Sequence, residues 1–423
     1  MRNNRGIFTN IDWISVLIYL ALVVFGYMAV YAADYNMQAE KVIDFSRSHG
    51  KQLIWILVSL GLAGLILLLD SKFFTTFAYP IYGFVLGLLV LVLLIGSTIK
   101  GSKSWLTLGG FSLQPAEFAK FATGLAVAKY LSALGVNIRD FSARIISGVI
   151  IAIPVGLIVL QGDAGSALVF GIFILVLYRE GLPAIIPLII LIVAVLSISA
   201  LIVNKYILIG VIVLTAAVIA FYLRRNRQVL LVIAGIMVLA SAYVFTVDYT
   251  YSHLKPHRKD RIAVYIAGLT GQKMDTKGVG YNVNQSQITI GSGGLTGKGF
   301  LNGTQTAGDF VPEQITDFIF STIGEEYGFL GSALVLGLLF GLTIRVIFLA
   351  ERQRSRFTRI YGYVVACVLF FHIMVNVGMT ISLVPVMGIP LPFFSYGGSS
   401  IIAFTILLFI LLKLDSERLA VLR

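Results

Sequence analysis

A chain of 423 residues that is 58% hydrophobic and only 12% charged, with a mean hydropathy of +0.93, is too apolar for a soluble globular protein, where about a quarter of residues carry charge. The formal charge of +12 would suit nucleic acid, but the basic residues sit in short clusters between apolar runs, as orientation signals of membrane proteins do, so no nucleic-acid partner is expected. Bilayer-length runs override the usual domain-size prior, and a single all-α domain is expected over residues 1–423, a polytopic integral membrane helical bundle.

Met1 to Trp13 carries Arg2 and Arg5, and no small-residue cleavage site follows the first apolar run, which reads as an uncleaved first helix. Runs able to cross a hydrocarbon core of about 30 Å lie at Trp13–Ala32, Leu53–Leu69, Phe74–Ile95, Pro115–Leu134 and Arg144–Leu160. Ser166–Tyr178 is shorter and needs its flanks to span. Leu182–Val203, Tyr206–Leu223 and Val229–Val247 come next, then a polar interval, then Phe318–Ala350 with a partly interfacial start, Ile360–Leu383 and Ser399–Leu414. The count is about twelve spans, three of them after the interval. Cys367 is the single cysteine, so no internal disulfide can form.

Lys and Arg set the expected orientation. With a cytoplasmic N-terminus, Lys72, Arg139, Arg144, Arg179, the Arg224-Arg225-Asn-Arg227 cluster, Arg352, Arg354, Arg356 and Arg359 all face the cytoplasm, as do Lys413 and Arg418 near the C-terminus. The interval 249–317 then becomes a large extracytoplasmic loop carrying Lys255, Arg258, Lys259, Arg261, Lys273, Lys277 and Lys298. Basic residues on that side call for an anionic ligand.

The loop opens with closely spaced Arg258, Lys259 and Arg261 behind a proline turn. Arginine forks bind phosphate bidentately, so the cluster suits a diphosphate headgroup, and it would equally suit anionic membrane lipid. The stretch from Gly278 to Gly299 mixes amide and hydroxyl side chains with glycines, a composition able to bind sugar hydroxyls or to form a mobile surface loop. At its end Asp317 follows Thr316 at the entry to an apolar run. Either residue could cap a helix, or Asp317 could serve as a general base at the lipid boundary. Glu325 and Glu326 follow one to two turns later.

Within the apolar runs, Glu117 and Lys120 lie at i and i+3, on one helix face, where they can pair, and Asp163 sits between two spans. Ionisable groups there are expensive and face a cavity or each other, as functional groups or as a structural ion pair. Val384 to Ser400 holds three prolines and paired glycines, which cannot continue a helix, so it reads as irregular backbone forming a rigid wall.

Together these stretches resemble the SEDS family (shape, elongation, division and sporulation), in its RodA type. The residues that carry the resemblance are Gln114-Pro-Ala-Glu117-Phe-Ala-Lys120, Lys255-Pro-His-Arg-Lys-Asp-Arg-Ile262, Ile290-Gly-Ser-Gly-Gly-Leu-Thr-Gly-Lys-Gly299, Gly303-Thr-Gln305, Pro312-Glu-Gln-Ile-Thr-Asp-Phe-Ile-Phe320, Gly324-Glu-Glu326 and Gly388-Ile-Pro-Leu-Pro-Phe-Phe-Ser-Tyr-Gly-Gly-Ser-Ser400. They run nearly end to end in family order. The resemblance implies a peptidoglycan glycosyltransferase in the bacterial cytoplasmic membrane that polymerises lipid II on its outer face during elongation. It also implies as partners a class B penicillin-binding protein, which crosslinks the product, and other membrane proteins of the elongation complex. The family's essential aspartate falls on Asp317, and Glu117, Lys120 and Asp163 match other positions of importance.

The sequence departs from the family pattern in having Ile315 where histidine is usual and Gly162 where proline is usual. A pair of helices within 182–247 also looks inserted into a core of about ten spans. The expected chemistry is inverting transfer, with Asp317 taking the proton of the acceptor hydroxyl. Arg258, Arg261 and Lys298 would stabilise the leaving diphosphate, and Gln305 and Glu313 join Glu117, Lys120 and Asp163 as substrate-binding candidates. Diphosphate leaves readily, so one carboxylate suffices, unlike the two of a glycosidase. No cofactor is required; a divalent cation could assist, but no cluster of histidines and carboxylates demands one. The rival readings are a lipid II flippase or other transporter, and a non-catalytic scaffold for the crosslinking partner.

Overall fold

The computed structural model describes residues 10–35, 44–99, 101–108, 111–223, 226–254, 256–270 and 279–418, with only the backbone at 108, 111, 256–258, 269 and 279. Arg2, Arg5, Arg224, Arg225, Lys255, Lys273 and Lys277 lie outside these residues, and so does the side chain of Arg258, expected to bind substrate. Two compact units form, one from residues 1–182 and 282–423 and the other from 183–281.

The first unit begins with α1 (Trp13–Ala33), whose N-terminus is capped by Asp12 accepting the Ser15 N–H at 3.1 Å. There follow α2 (Ser48–Leu68), the short α3 (Ser71–Thr76) and α4 (Ala78–Ile95). Next comes a small antiparallel meander of β1 (Ser97–Ile99), β2 (Ser102–Leu108) and β3 (Phe111–Leu113). This small sheet is an addition to an otherwise helical bundle. Its hydroxyl-rich, β-branched alternation, turned by a left-handed Gly101 (φ +83°), is a strand signal overshadowed by its apolar neighbours.

Then come α5 (Pro115–Leu131), α6 (Phe141–Leu160), α7 (Ala164–Val169) and, after a 3₁₀ turn at Phe170–Ile172, α8 (Phe173–Arg179). The second unit holds α9 (Ile185–Ile202), α10 (Lys205–Tyr222), α11 (Arg227–Ser252) and α12 (Pro256–Thr270). Inside it Lys205 pairs with Asp248 at 2.9 Å, and Ser197 shares a 2.7 Å hydrogen bond with Tyr243. α13 (Val279–Ser292) leads back into the first unit, which is completed by α14 (Thr304–Ala307), α15 (Ile319–Glu351), α16 (Arg356–Thr380) and α17 (Gly398–Ser416). The polar interval 249–317 is therefore largely helical among the described residues, with Gly293, Gly294, Gly297 and Gly299 following the end of α13.

Ten helices among the described residues are long and apolar enough to cross a bilayer: α1, α2, α4, α6, α9, α10, α11, α15, α16 and α17. The other two runs of the sequence count fall short. α5 has 17 residues and carries Glu117, Lys120 and Lys129, and Ala164–Arg179 is interrupted by its 3₁₀ turn. α5, α16 and α17 form the buried centre of the first unit, whereas α9 and α10 bury no residue. α15 is not uniform: Gly328 (φ +63°, ψ −158°) breaks it after two buried turns, and its start is packed against the 293–303 segment.

Candidate active site

Asp317 ends a tight turn built on Glu313, a residue at φ +62° whose carbonyl accepts the N–H groups of Thr316 (3.2 Å), Asp317 (3.1 Å) and Phe318 (3.3 Å). The Thr316 hydroxyl turns back to the Glu313 carbonyl and, at 3.1 Å, to its Oε2. The cap position of α15 falls on Phe318, so neither Thr316 nor Asp317 plays the capping role that sequence allowed. Asp317 is half-buried at the mouth of the helix.

Its other neighbour is the irregular segment 382–397, buried from Leu391 to Ser395 and partly exposed before that, at Leu383 and Gly388. Asn376 Nδ2, on α16, donates to the Asp317 carbonyl at 2.9 Å and to the Ile389 carbonyl at 2.8 Å. The Tyr396 N–H donates to the Ile315 carbonyl at 2.8 Å. Gly388, at φ +67°, lies so close that a Cβ there would stand 3.4 Å from Asp317 Oδ2. Asp317 is thus held by its backbone against a rigid wall.

The same wall reaches the ionisable groups inside the bundle. Lys120 Nζ donates to Glu117 Oε1 at 2.6 Å and contacts His372 Nε2 at 2.9 Å, all three buried. His372 Nδ1 lies 3.0 Å from the Pro390 carbonyl, which can only accept, so the proton is on Nδ1 and Nε2 receives the ammonium. The Glu117–Lys120 pair is bordered by Phe121, Ala403, Phe404 and Leu407, with no cavity of water size beside it among the described residues.

Asp163 caps α7, accepting the Ser166 N–H at 3.0 Å and hydroxyl at 2.8 Å, and takes a 2.9 Å bond from Gln114 Nε2 at the head of α5. Gly162 before it has φ +83°, a conformation closed to proline, so this turn differs in geometry from one built on the family's residue.

On the other side, Glu325 is fully buried and collects donors from the segment that precedes the Asp317 turn. These are Lys298 Nζ at 2.6 Å, the Gln305 N–H at 2.9 Å, and the Thr306 N–H and hydroxyl, each at 2.7 Å. Close passage of the two segments depends on Gly297, where a Cβ would fall 2.2 Å from the Glu326 carbonyl. Lys298 and Gln305 therefore fold this arc through Glu325, and Glu313 shapes the turn. The structure gathers Asp317, Glu117, Lys120 and Asp163 around segment 382–397. Arg258 and Arg261 belong to α12 of the other unit, Arg261 with an exposed side chain.

Sequence reasoning missed His372, although an ionisable residue in an apolar run was the signal that flagged Glu117 and Lys120. It also missed the bridging role of Asn376, which no periodicity reveals. Among the described residues, no three His, Cys, Asp or Glu side chains gather as metal ligands.

Many apolar helices around a buried polar network, with one carboxylate fixed at a helix mouth, define a multi-pass membrane protein with an enzyme-like site. The chain belongs to the FtsW/RodA/SpoVE family of cell cycle proteins, the SEDS family, whose model matches residues 12–209 and 179–419. It is 30% identical to the peptidoglycan glycosyltransferase MrdB of Escherichia coli strain K12 over 93% of this chain and 90% of that one. Its fold is similar to a chain in the solved structure of a peptidoglycan synthase complex that coordinates polymerization and crosslinking, with a TM-score of 0.70, 28% identity and coverage of 97% and 99% of the two chains. It is also similar to the crystal structure of the rod shape determining protein RodA of Thermus thermophilus, with a TM-score of 0.62, 26% identity and coverage of 97% and 98%. As a member of this family the chain is a peptidoglycan glycosyltransferase.

Proposed function

We propose that the enzyme polymerises lipid II on the outer face of the cytoplasmic membrane during cell elongation, with Asp317 as general base. The observation that carries this reading is the half-buried Asp317, held through its main chain between a tight turn and the proline-rich wall. A positioned base of this kind contributes typically about 10²- to 10⁴-fold. The hydroxyl of the acceptor sugar attacks the anomeric carbon of the donor, its proton passes to Asp317, and undecaprenyl diphosphate leaves with inversion. Arg258 and Arg261 stabilise the diphosphate charge.

The outward placement of Asp317 is supported by the opposite end of the first unit. There Arg179, Arg352, Arg356, Arg359 and Arg418 collect, through ion pairs with Glu351, Asp415 and Glu180 and an Arg356 bond to the Val136 carbonyl. Basic clusters mark the cytoplasmic side, so both termini are cytoplasmic. The elongation role is supported by the Gly388-Ile-Pro390 variant of the wall. Partnership with a class B penicillin-binding protein is supported by the similarity to a chain of a polymerizing and crosslinking complex.

Purified protein supplied with labelled lipid II should yield a ladder of β-linked glycan strands. Movement of lipid II across vesicles without any polymer would contradict the proposal and favour transport.

A further inference from the structure

Asn376 is fully buried on α16, and its amide faces two carbonyls from segments far apart in the chain, Asp317 at 2.9 Å and Ile389 at 2.8 Å. Both partners only accept, so the nitrogen must point at them and Oδ1 away. Oδ1 has no hydrogen-bond partner among the described residues. A buried amide satisfied on one side only is costly, and a leucine of similar size would avoid that cost. The residue is therefore better explained by what its two donors hold than by packing.

One turn earlier on the same helix, His372 Nδ1 donates to Pro390, the carbonyl next to Ile389, at 3.0 Å. α16 thus grips two successive carbonyls of the wall from positions i and i+4, and Asn376 fastens the Asp317 main chain to the same place. Gly388, one residue before Ile389, faces the Asp317 carboxylate, where an added Cβ would stand 3.4 Å from Oδ2. We propose that Asn376 is a positioning residue for Asp317, setting where the carboxylate stands relative to the Gly388–Pro390 wall. The proposal rests on Asp317 being the base.

The test compares Asn376→Leu, which keeps the volume and removes both donors, with Asp317→Asn, each measured for lipid II polymerisation per folded molecule and for thermal unfolding in detergent. Asn376→Ala, which adds no bulk, gives the same reading if the leucine variant does not fold. The expected result is a kcat lowered by about ten- to a hundredfold, with KM for lipid II changed by less than about twofold, as for a catalytic group displaced by an ångström or less. Wild-type kcat per folded molecule beside an inactive Asp317→Asn would overturn the positioning role alone, and so would a rise in KM without loss of kcat. Wild-type turnover by Asp317→Asn would overturn the base assignment, and the positioning role with it.

Discussion

The two ends of the first unit solve the same problem, fixing helix ends against one another, by different chemistry. At the end opposite Asp317, guanidinium groups meet carboxylates directly: Arg345 with Asp12, Arg352 and Arg418 with Asp415, Arg356 and Arg359 with Glu180. At the Asp317 end, neutral donors from Asn376, His372 and Tyr396 grip main-chain carbonyls. Charge pairs saturate every acidic group that they use, which makes a clamp. Bonds to carbonyls instead fix the backbone of the Asp317 turn against the 382–397 segment. The first end should therefore matter for folding alone, and the second for folding and turnover together.

The sharpest contrast lies at Asp415, which is fully buried and holds Arg352 at 2.8 Å, Gln353 at 2.6 Å and Arg418 at 3.3 Å. Asp415→Asn should destabilise the protein by about 3–5 kcal/mol, because cationic partners are left without their charge, while turnover per folded molecule stays at the wild-type rate. Thermal unfolding and a polymerisation assay on the folded fraction check both halves. Glu325→Gln should cost somewhat less, about 2–3 kcal/mol, since Glu325 pairs with one cation, Lys298, where Asp415 pairs with two. It should also lower turnover, because the arc leading to the Asp317 turn loosens.

Gly388→Ala comes next in size. Its φ of +67° makes alanine unfavourable by about 1–2 kcal/mol, and the methyl would press toward Asp317. A fall in kcat greater than the fall in stability explains is the expected signature, and unaltered kcat would show that the wall does not set the carboxylate.

The last effect depends on pH and belongs to Asp12. Burial acts to raise its pKa, but hydrogen bonds from Arg345 and Ser15 outweigh it and hold the carboxyl down at about 2. A depressed carboxyl stabilises the fold above its ordinary value of 3.8 and loses that contribution as pH falls through about 2. Wild type and Asp12→Asn should therefore differ in unfolding midpoint at pH 5 and converge as pH approaches 2, and a constant difference would break the assignment.

Much of the fold was legible because bilayer thermodynamics writes itself into long apolar runs. The ambiguous runs were α5, which is short and charged because Glu117 and Lys120 pair inside the bundle, and Ala164–Arg179, which is broken by its 3₁₀ turn. The meander at 97–113 was hidden by its apolar flanks. Asp317 could be singled out from its place at the entry to an apolar run and from the family pattern. What sequence could not show is that Lys298 and Gln305 converge on Glu325, or that Asn376 joins residues 317 and 389. Those bonds link positions with no shared periodicity, and only the folded backbone brings them together.

The most direct measurement is the single-turnover rate of glycan bond formation by Asp317→Asn, folded and loaded with lipid II. The account predicts lipid II bound about as tightly as by the wild type and bond formation slowed by at least about a hundredfold. Bond formation at the wild-type rate would contradict it.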